Sequence, residues 1–91
     1  MYKIRLKDGI EYGVYWCGAA DGVLNAAIVS DGTMGELAAV FDASENTERI
    51  EYEYDGSVNV YEGYTRLISI MDRREQSGEL MISLKKTGGE G

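Results

Sequence analysis

Two acidic side chains of this 91-residue chain have the residue type and spacing that catalysis can use. Glu51 and Glu53 lie two positions apart, so on a β-strand both carboxylates point to the same side. Two carboxylates can serve as acid and base in glycoside hydrolysis, but one of them must be desolvated in a cleft. A chain of this length has little room for such a cleft. We therefore interpret Glu51 and Glu53 as part of a solvent-facing surface.

Cys17 is the only cysteine, and the sequence contains no histidine. A nucleophilic cysteine needs a general base, which is normally histidine. The same two counts exclude serine triads that use histidine, histidine-ligated metals, intrachain disulfides and multi-cysteine zinc sites. Asp42, Glu45 and Glu48 crowd one segment, but no EF-hand pattern accompanies them. The sequence predicts no enzyme, no cofactor and no metal site, and it favours Cys17 as a small packing residue.

Tyrosine supplies seven of the nine aromatic residues, and four tyrosines fall within thirteen positions. Exposed tyrosines are rigid amphipathic contact residues at protein interfaces, whereas buried ones fill a core. Both roles stay open for this cluster. The sequence also leaves Trp16 open between a core anchor and an exposed contact. The protein-contact candidates are Tyr52, Tyr54, Tyr61, Tyr64, Glu51, Glu53 and Trp16.

The charge of the chain is −7, and it is unevenly distributed. Residues 8–62 contain twelve acidic residues and one basic residue, a net of −11, between a basic start and a nearly neutral end. Such a chain is repelled by phosphate backbones and anionic lipids. We expect no direct contact with nucleic acid or membrane, and a protein partner or a homo-oligomer instead. A purely solubilising surface is the alternative interpretation of this charge.

Two segments with strict alternation predict antiparallel hairpins. Tyr2, Ile4 and Leu6 alternate with basic residues, and the alternation resumes after Asp8-Gly9, an Asp-Gly pair typical of a type I′ turn. Arg49–Tyr54 alternates in the same way before Asp55-Gly56.

No apolar segment follows Met1 as in a secretory signal, and no apolar run approaches the ~20 residues of a membrane span.

One short helix is predicted over residues 34–41. Thr33 and Glu36 have the spacing of a capping box, and Met34, Leu37 and Phe41 repeat at helical intervals. Further strands are predicted at 23–29, 58–61, 67–71 and 80–84, with loops at 17–22 and 72–78. With no proline to blunt the sheet edges, charged residues on the strands would protect them.

These elements predict an α+β, mainly β fold. We expect an antiparallel curled sheet or small barrel of six to seven strands with one short helix. Residues 1–86 would form a single β-rich domain, and residues 87–91 a flexible tail. A lone cysteine without a secretory signal fits a reducing compartment.

Four segments together carry a resemblance: Tyr2–Gly9, Trp16–Gly18, Phe41 with Glu45–Ile50, and Tyr61–Leu67, of which Gly63-Tyr64-Thr65-x-Leu67 is the most distinctive. The sequence resembles small proteins encoded in the structural-gene region of tailed phages and prophages of Firmicutes, including gut clostridia. The resemblance spans most of the chain and brings no catalytic motif. It implies a virion- or tail-associated accessory protein, located in the cytoplasm of the host bacterium or in the virion.

Two hypotheses about function follow. The first is a non-enzymatic, phage- or prophage-derived structural or interaction module that binds a protein, including a second copy of itself. The second is an acidic inhibitor or DNA mimic that occupies a basic groove of a host protein, motivated by the net charge of residues 8–62.

Overall fold

The computed structural model describes residues 2–87. Met1 and residues 88–91, which include most of the predicted tail, lie outside the described residues. Seven strands and one helix follow in chain order: β1 (Tyr2–Arg5), β2 (Glu11–Ala20), β3 (Val23–Val29), α1 (Met34–Asp42), β4 (Arg49–Tyr54), β5 (Ser57–Glu62), β6 (Arg66–Arg74) and β7 (Glu79–Lys85).

All seven strands form one antiparallel sheet in the order β5-β4-β1-β2-β3-β7-β6. Strands β5 and β6 stand at its two ends and do not pair with each other. The sheet is therefore curled but unclosed, which confirms the predicted mainly β fold with one short helix and selects the curled sheet over the closed barrel. The apolar core lies on the inner, concave face, and the opposite face is called the outer face below.

The Asp-Gly pairs make tight turns, but not all of one kind. Asp55 and Gly56 both have positive φ, as a type I′ turn requires, and Asp21-Gly22 forms a second such turn. The prediction of this turn at Asp8-Gly9 is wrong. There only Gly9 has positive φ, and its N–H donates to the Leu6 carbonyl at 2.9 Å, so the loop has three residues.

Strand β2 is longer than predicted and changes face part-way. The expected loop at 17–22 is wrong, because the strand continues to Ala20 before the turn at Asp21-Gly22. Val14 pairs with Ile28 and Trp16 with Ala27, so Tyr15 is an inserted bulge residue. One extra residue reverses the alternation, which places Trp16 on the outer face and Cys17 on the inner face.

Strand β6 also extends further than predicted, to Arg74, which reduces the expected loop at 72–78 to its last four residues. Its pairing with β7 shifts twice, at Ile68 and at Met71. The strand is an edge strand with charged residues at both ends, so its second half lacks the apolar alternation by which a strand is recognised.

Helix α1 begins as predicted: the Thr33 hydroxyl accepts a hydrogen bond from the Glu36 N–H at 3.2 Å. Its buried residues Met34, Leu37 and Phe41 join the core cluster, and the helix packs against β6 and β7. This packing covers the inner face, because the same cluster contains the inward residues of β3 and β7. Within residues 2–87 no element covers the outer face.

Candidate functional site

The tyrosine cluster divides between core and surface. Tyr52 is 7% exposed and Tyr54 is 42% exposed. Their rings are stacked with centroids 6.0 Å apart, and Tyr2 meets Tyr54 edge-to-face at 4.9 Å. Tyr52 is thus a core residue, whereas Tyr54 offers an exposed ring next to the β4–β5 turn.

The second pair of tyrosines packs at the bend between β5 and β6, residues 63–65. Tyr61 and Tyr64 are edge-to-face at 6.2 Å, and Tyr64 is only 8% exposed. The Lys86 ammonium lies 5.7 Å from the centre of the Tyr64 ring. This contact ties the end of β7 to the bend and assigns Tyr64 mainly to packing.

Cys17 lies on the inner face beside these rings. It is partly buried against the core cluster, and burial raises its thiol pKa to about 12. Burial also raises the pKa values of Tyr52 and Tyr61, to which the neighbouring thiol adds a smaller contribution. A thiol with this pKa is a poor nucleophile at neutral pH, in keeping with a packing role.

The outer face of β2, β1, β4 and β5 carries a ladder of ion pairs, here called the charged face. It runs through Glu11, Arg5, Glu51, Arg49 and Glu62. Arg5 contacts Glu51 at 2.9 Å and also pairs with Glu11, and its hydrogen bond lowers the pKa of the Glu11 carboxyl. Glu51 therefore faces solvent as part of a paired surface, as the sequence predicts.

Glu53 lies on the same face, directly opposite Lys3 on β1 and Val58 on β5. The Lys3 and Glu53 positions thus repeat the alternation of base and acid seen one row away at Arg5 and Glu51. The two glutamates singled out in the sequence do share a face. They stand among basic neighbours, and the pocket that they line with Lys3, Arg5 and Glu11 has a volume of only about 10 Å³, the size of one water molecule.

The outer face of β2, β3, β7 and β6 is different, and we call it the neutral face. One row across the strands contains Trp16, Ala27 and Met81, and the next row contains Asn25 and Ser83. Met71 lies over this second row, because the Ser83 hydroxyl is 3.6 Å from its sulfur. The neutral face consists of Trp16, Asn25, Ala27, Met71, Met81 and Ser83.

Large and small side chains alternate across the neutral face. Trp16 is 40% exposed and Met71 47%, whereas Ala27 between Trp16 and Met81 is 3% exposed. Ser83 is 7% exposed and hydrogen-bonds to the Asn25 side chain. The large side chains cover their small neighbours. The result is a shallow apolar surface whose polar groups already form hydrogen bonds.

Of the predicted contact residues, Trp16 alone belongs to the neutral face. Met71 and Met81 were missed because nothing in the sequence marks the bulge that carries Met71 outward. The pairing of Trp16 with Ala27 gives a faint signal, since a large residue opposite a small one is a common interlocking pattern. That signal requires the register, which a single sequence does not show.

An open groove of about 450 Å³ lies beside the start of α1, between Tyr12 and Asp31. The helix amides nearby are already bonded: the Met34 N–H donates to the Glu75 carboxylate at 3.4 Å, and the Glu36 N–H to Thr33. An anion approaching this helix end would meet the Glu75 charge. The groove therefore offers no phosphate site.

Among residues 2–87, no three cysteine or acidic side chains come together as a metal ion would need. No helix in the described part of the chain is both long and apolar enough to cross a bilayer. Comparison with protein-family models, with curated proteins and with solved structures gives no match to this chain.

Proposed function

We propose that the chain is a non-enzymatic interaction module of phage or prophage origin, which binds another protein through the neutral face. The observation that carries the proposal is the exposed Trp16 on β2, where the neutral face begins. The phage context rests on the sequence resemblance alone, and on that basis the proposed partner is a protein of the virion or its tail.

The composition of the neutral face supports this proposal. The centres of protein interfaces are depleted in charge and enriched in aromatic residues and methionine, and they have a polar rim. Here Trp16, Met71 and Met81 surround small residues, and charged residues stand around them: Lys85 and Arg66 at one end, Glu79 and Arg74 at the other, and Asp72 beside Met81 on the edge strand β6. Tryptophan is also enriched among residues whose truncation costs most binding energy.

The acidic-inhibitor hypothesis receives less support. A DNA mimic needs unpaired carboxylates in rows, but the acidic row on the sheet alternates with Arg5 and Arg49, which pair with it. Other acidic residues occupy separate turns, as Asp21 and Asp55 do. A basic groove would therefore meet an acidic row whose charge is largely neutralised by Arg5 and Arg49.

The experiment uses the tagged protein to capture partners from prophage-bearing cells, followed by purification of the captured protein and calorimetry. We expect the variant Trp16→Glu to weaken binding at least ~30-fold, the effect of losing ~2 kcal/mol at a tryptophan contact. Ile10→Glu is the matched control, because Ile10 is 52% exposed but lies just before the start of β2, six positions away from Trp16 along the chain. It should bind as the wild type does.

Trp16 is also the only tryptophan, so its fluorescence reports directly on this face. Binding should shift its emission to shorter wavelength as water leaves the indole ring. Unchanged emission on saturation with the partner, or wild-type affinity of Trp16→Glu, would reject the neutral face as the contact surface.

A further inference from the structure

Among residues 2–87, no strand pairs with the outer side of β5, and this sheet edge has few of the usual protections. It pairs with β4 residue by residue without a register shift. Ser57–Val60 is exposed throughout, and among the six residues of the strand only Glu62, at its end, is charged. Lysine, proline, bulges and inward charges are what normally keep an edge strand from pairing with another chain. A regular and nearly uncharged edge is therefore available for one more strand.

The turn before β5 determines which backbone groups are free. Tyr54 and Ser57 close a two-residue type I′ turn and form a hydrogen-bonded pair, so Ser57, Asn59 and Tyr61 direct their backbone groups towards β4. Val58, Val60 and Glu62 consequently direct their N–H and C=O groups away from the sheet. An incoming antiparallel strand would bond to Val58 and Val60.

We propose that β5 pairs antiparallel with β5 of a second copy of this chain. The strand is self-complementary in charge and shape in one register, with Val58 opposite Val60 of the partner and Asn59 on the two-fold axis. Both valines are on the hydrogen-bonded edge, so this register forms backbone bonds at two symmetric pairs. Two-fold pairing of identical patches is the commonest way in which proteins associate with themselves.

The side chains agree with this register on both faces. On the outer face it brings four valines together as two adjacent cross-strand pairs, and β-branched cross-strand pairs stabilise sheets. Glu62 falls beyond these pairs, opposite the turn at Gly56, so no carboxylate stands opposite another. On the inner face the neutral Ser57, Asn59 and Tyr61 meet each other.

The second free edge is a weaker candidate for pairing with β5. Strand β6 is interrupted by bulges at Ile68 and Met71, and Arg66, Asp72, Arg73 and Arg74 stand along it. Bulges and charges are protections against edge pairing. Pairing of β5 with β6 would also bring Glu62 near arginines, so it would weaken with salt, whereas pairing of two β5 strands would not.

Pairing of two six-residue strands buries less than the ~1,200 Å² of a standard stable interface. The dimer is therefore expected to dissociate on dilution. Sedimentation velocity from about 10 µM to about 1 mM should show a reversible monomer–dimer equilibrium that 0.5 M NaCl does not weaken, because salt also screens the repulsion between two copies of net charge −7. A strict monomer over this range would overturn the proposal, as would an association that disappears in salt.

Cysteine cross-linking tests the register itself. In a Cys17→Ala background, Asn59→Cys places two thiols at a non-hydrogen-bonded pair, where Cα atoms are ~4.5 Å apart and a disulfide fits. Ser57→Cys is the matched control, because it is on the same face of the same strand but ~13 Å from its copy. We expect an oxidised dimer for Asn59→Cys at least tenfold more abundant than for Ser57→Cys. Equal yields would reject the register.

Two lysine variants separate the edges. Val60 on β5 is 43% exposed and Ile70 on β6 is 42% exposed, so the substitutions are matched in exposure, although Ile70 lies on the inner face opposite Ile82. Val60→Lys should give a monomer at every concentration, and Ile70→Lys should dimerise as the wild type does. The opposite pattern, or a mixed disulfide between Asn59→Cys and Ile70→Cys in place of the self-link, would show head-to-tail pairing and overturn the proposal. Binding of a partner by the neutral face is scored separately through Trp16.

Discussion

The two halves of the outer face are built from one continuous sheet but by different rules. In the charged face, strands β1, β4 and β5 alternate without interruption, and every outward row joins an acid to a base or a valine. In the neutral face, bulges at Tyr15, Ile68 and Met71 break the alternation. Trp16 and Met71 thereby face solvent rather than the core. The difference shows that an inserted residue, more than composition, decides which side chains a strand displays.

The largest expected effect is a difference in unfolding free energy between variants on the two faces of strand β7. Ile82 is fully buried, and its neighbour Met81 lies on the outer face. Ile82→Ala should lower the free energy of unfolding by about 4 kcal/mol because it leaves a cavity, and Met81→Ala by about 1 kcal/mol. Urea denaturation measures both. Equal losses would mean that the outer face is packed as tightly as the core.

A glycine in each half gives the next prediction. Gly78 has φ +68°, and a Cβ there would lie 2.3 Å from the Ser30 carbonyl oxygen. Gly56 has φ +79° with nothing within 4 Å. Gly78→Ala should cost about 3 kcal/mol, because the backbone contact must open in addition to the strain of positive φ.

Gly56→Ala, at the turn that joins the strands of the charged half, should cost only about 1 kcal/mol, the penalty of the left-handed conformation alone. The two melting temperatures should differ accordingly. Similar values for the two variants would show that the Ser30–Gly78 contact, in which the Ser30 N–H donates to the Gly78 carbonyl at 2.9 Å, adjusts freely.

What the sequence predicts follows the same division. Strict alternation places β4 at Arg49–Tyr54, and the cap at Thr33 starts the helix correctly, because both signals are local. The face of Trp16 was not predictable, since a bulge at Tyr15 is a matter of register between β2 and β3. The end of β6 was missed because its arginines resemble a loop when the pairing with β7 is unknown.

The alkaline limit of stability reports on the inner face shared by both halves. Burial raises the pKa of Cys17 to about 12 and also raises those of Tyr12, Tyr52 and Tyr61. In the unfolded chain these groups lose protons first, at their ordinary pKa values. The unfolded state then binds fewer protons than the native state, so stability must fall as pH rises from about 9 towards 12.

Cys17→Ala removes one of these groups and should flatten the fall between pH 9 and the region of tyrosine ionisation. Urea midpoints at several pH values measure it. Native Cys17 should also react with iodoacetamide far more slowly at pH 8 than in 6 M guanidinium chloride. Equal reaction rates would show that the thiol is not held away from solvent.

The smallest expected effect concerns the charged face. The hydrogen bond from Arg5, with the nearby Lys3 charge, lowers the pKa of Glu11. Because the folded pKa lies below the unfolded one, the unfolded state binds more protons in this range. The contribution is therefore present above the unfolded pKa, near 4.5, and is lost as pH falls through the folded value. Both side chains are over 40% exposed, so the change in unfolding midpoint should be slight and should shrink in 0.5 M NaCl.

Glu11→Gln should remove this acid dependence, and Trp16→Gln, in the neutral face, should leave it intact. Loss of the acid dependence in both variants would mean that the two halves of the outer face are electrostatically coupled, which their separate ion-pair patterns do not predict.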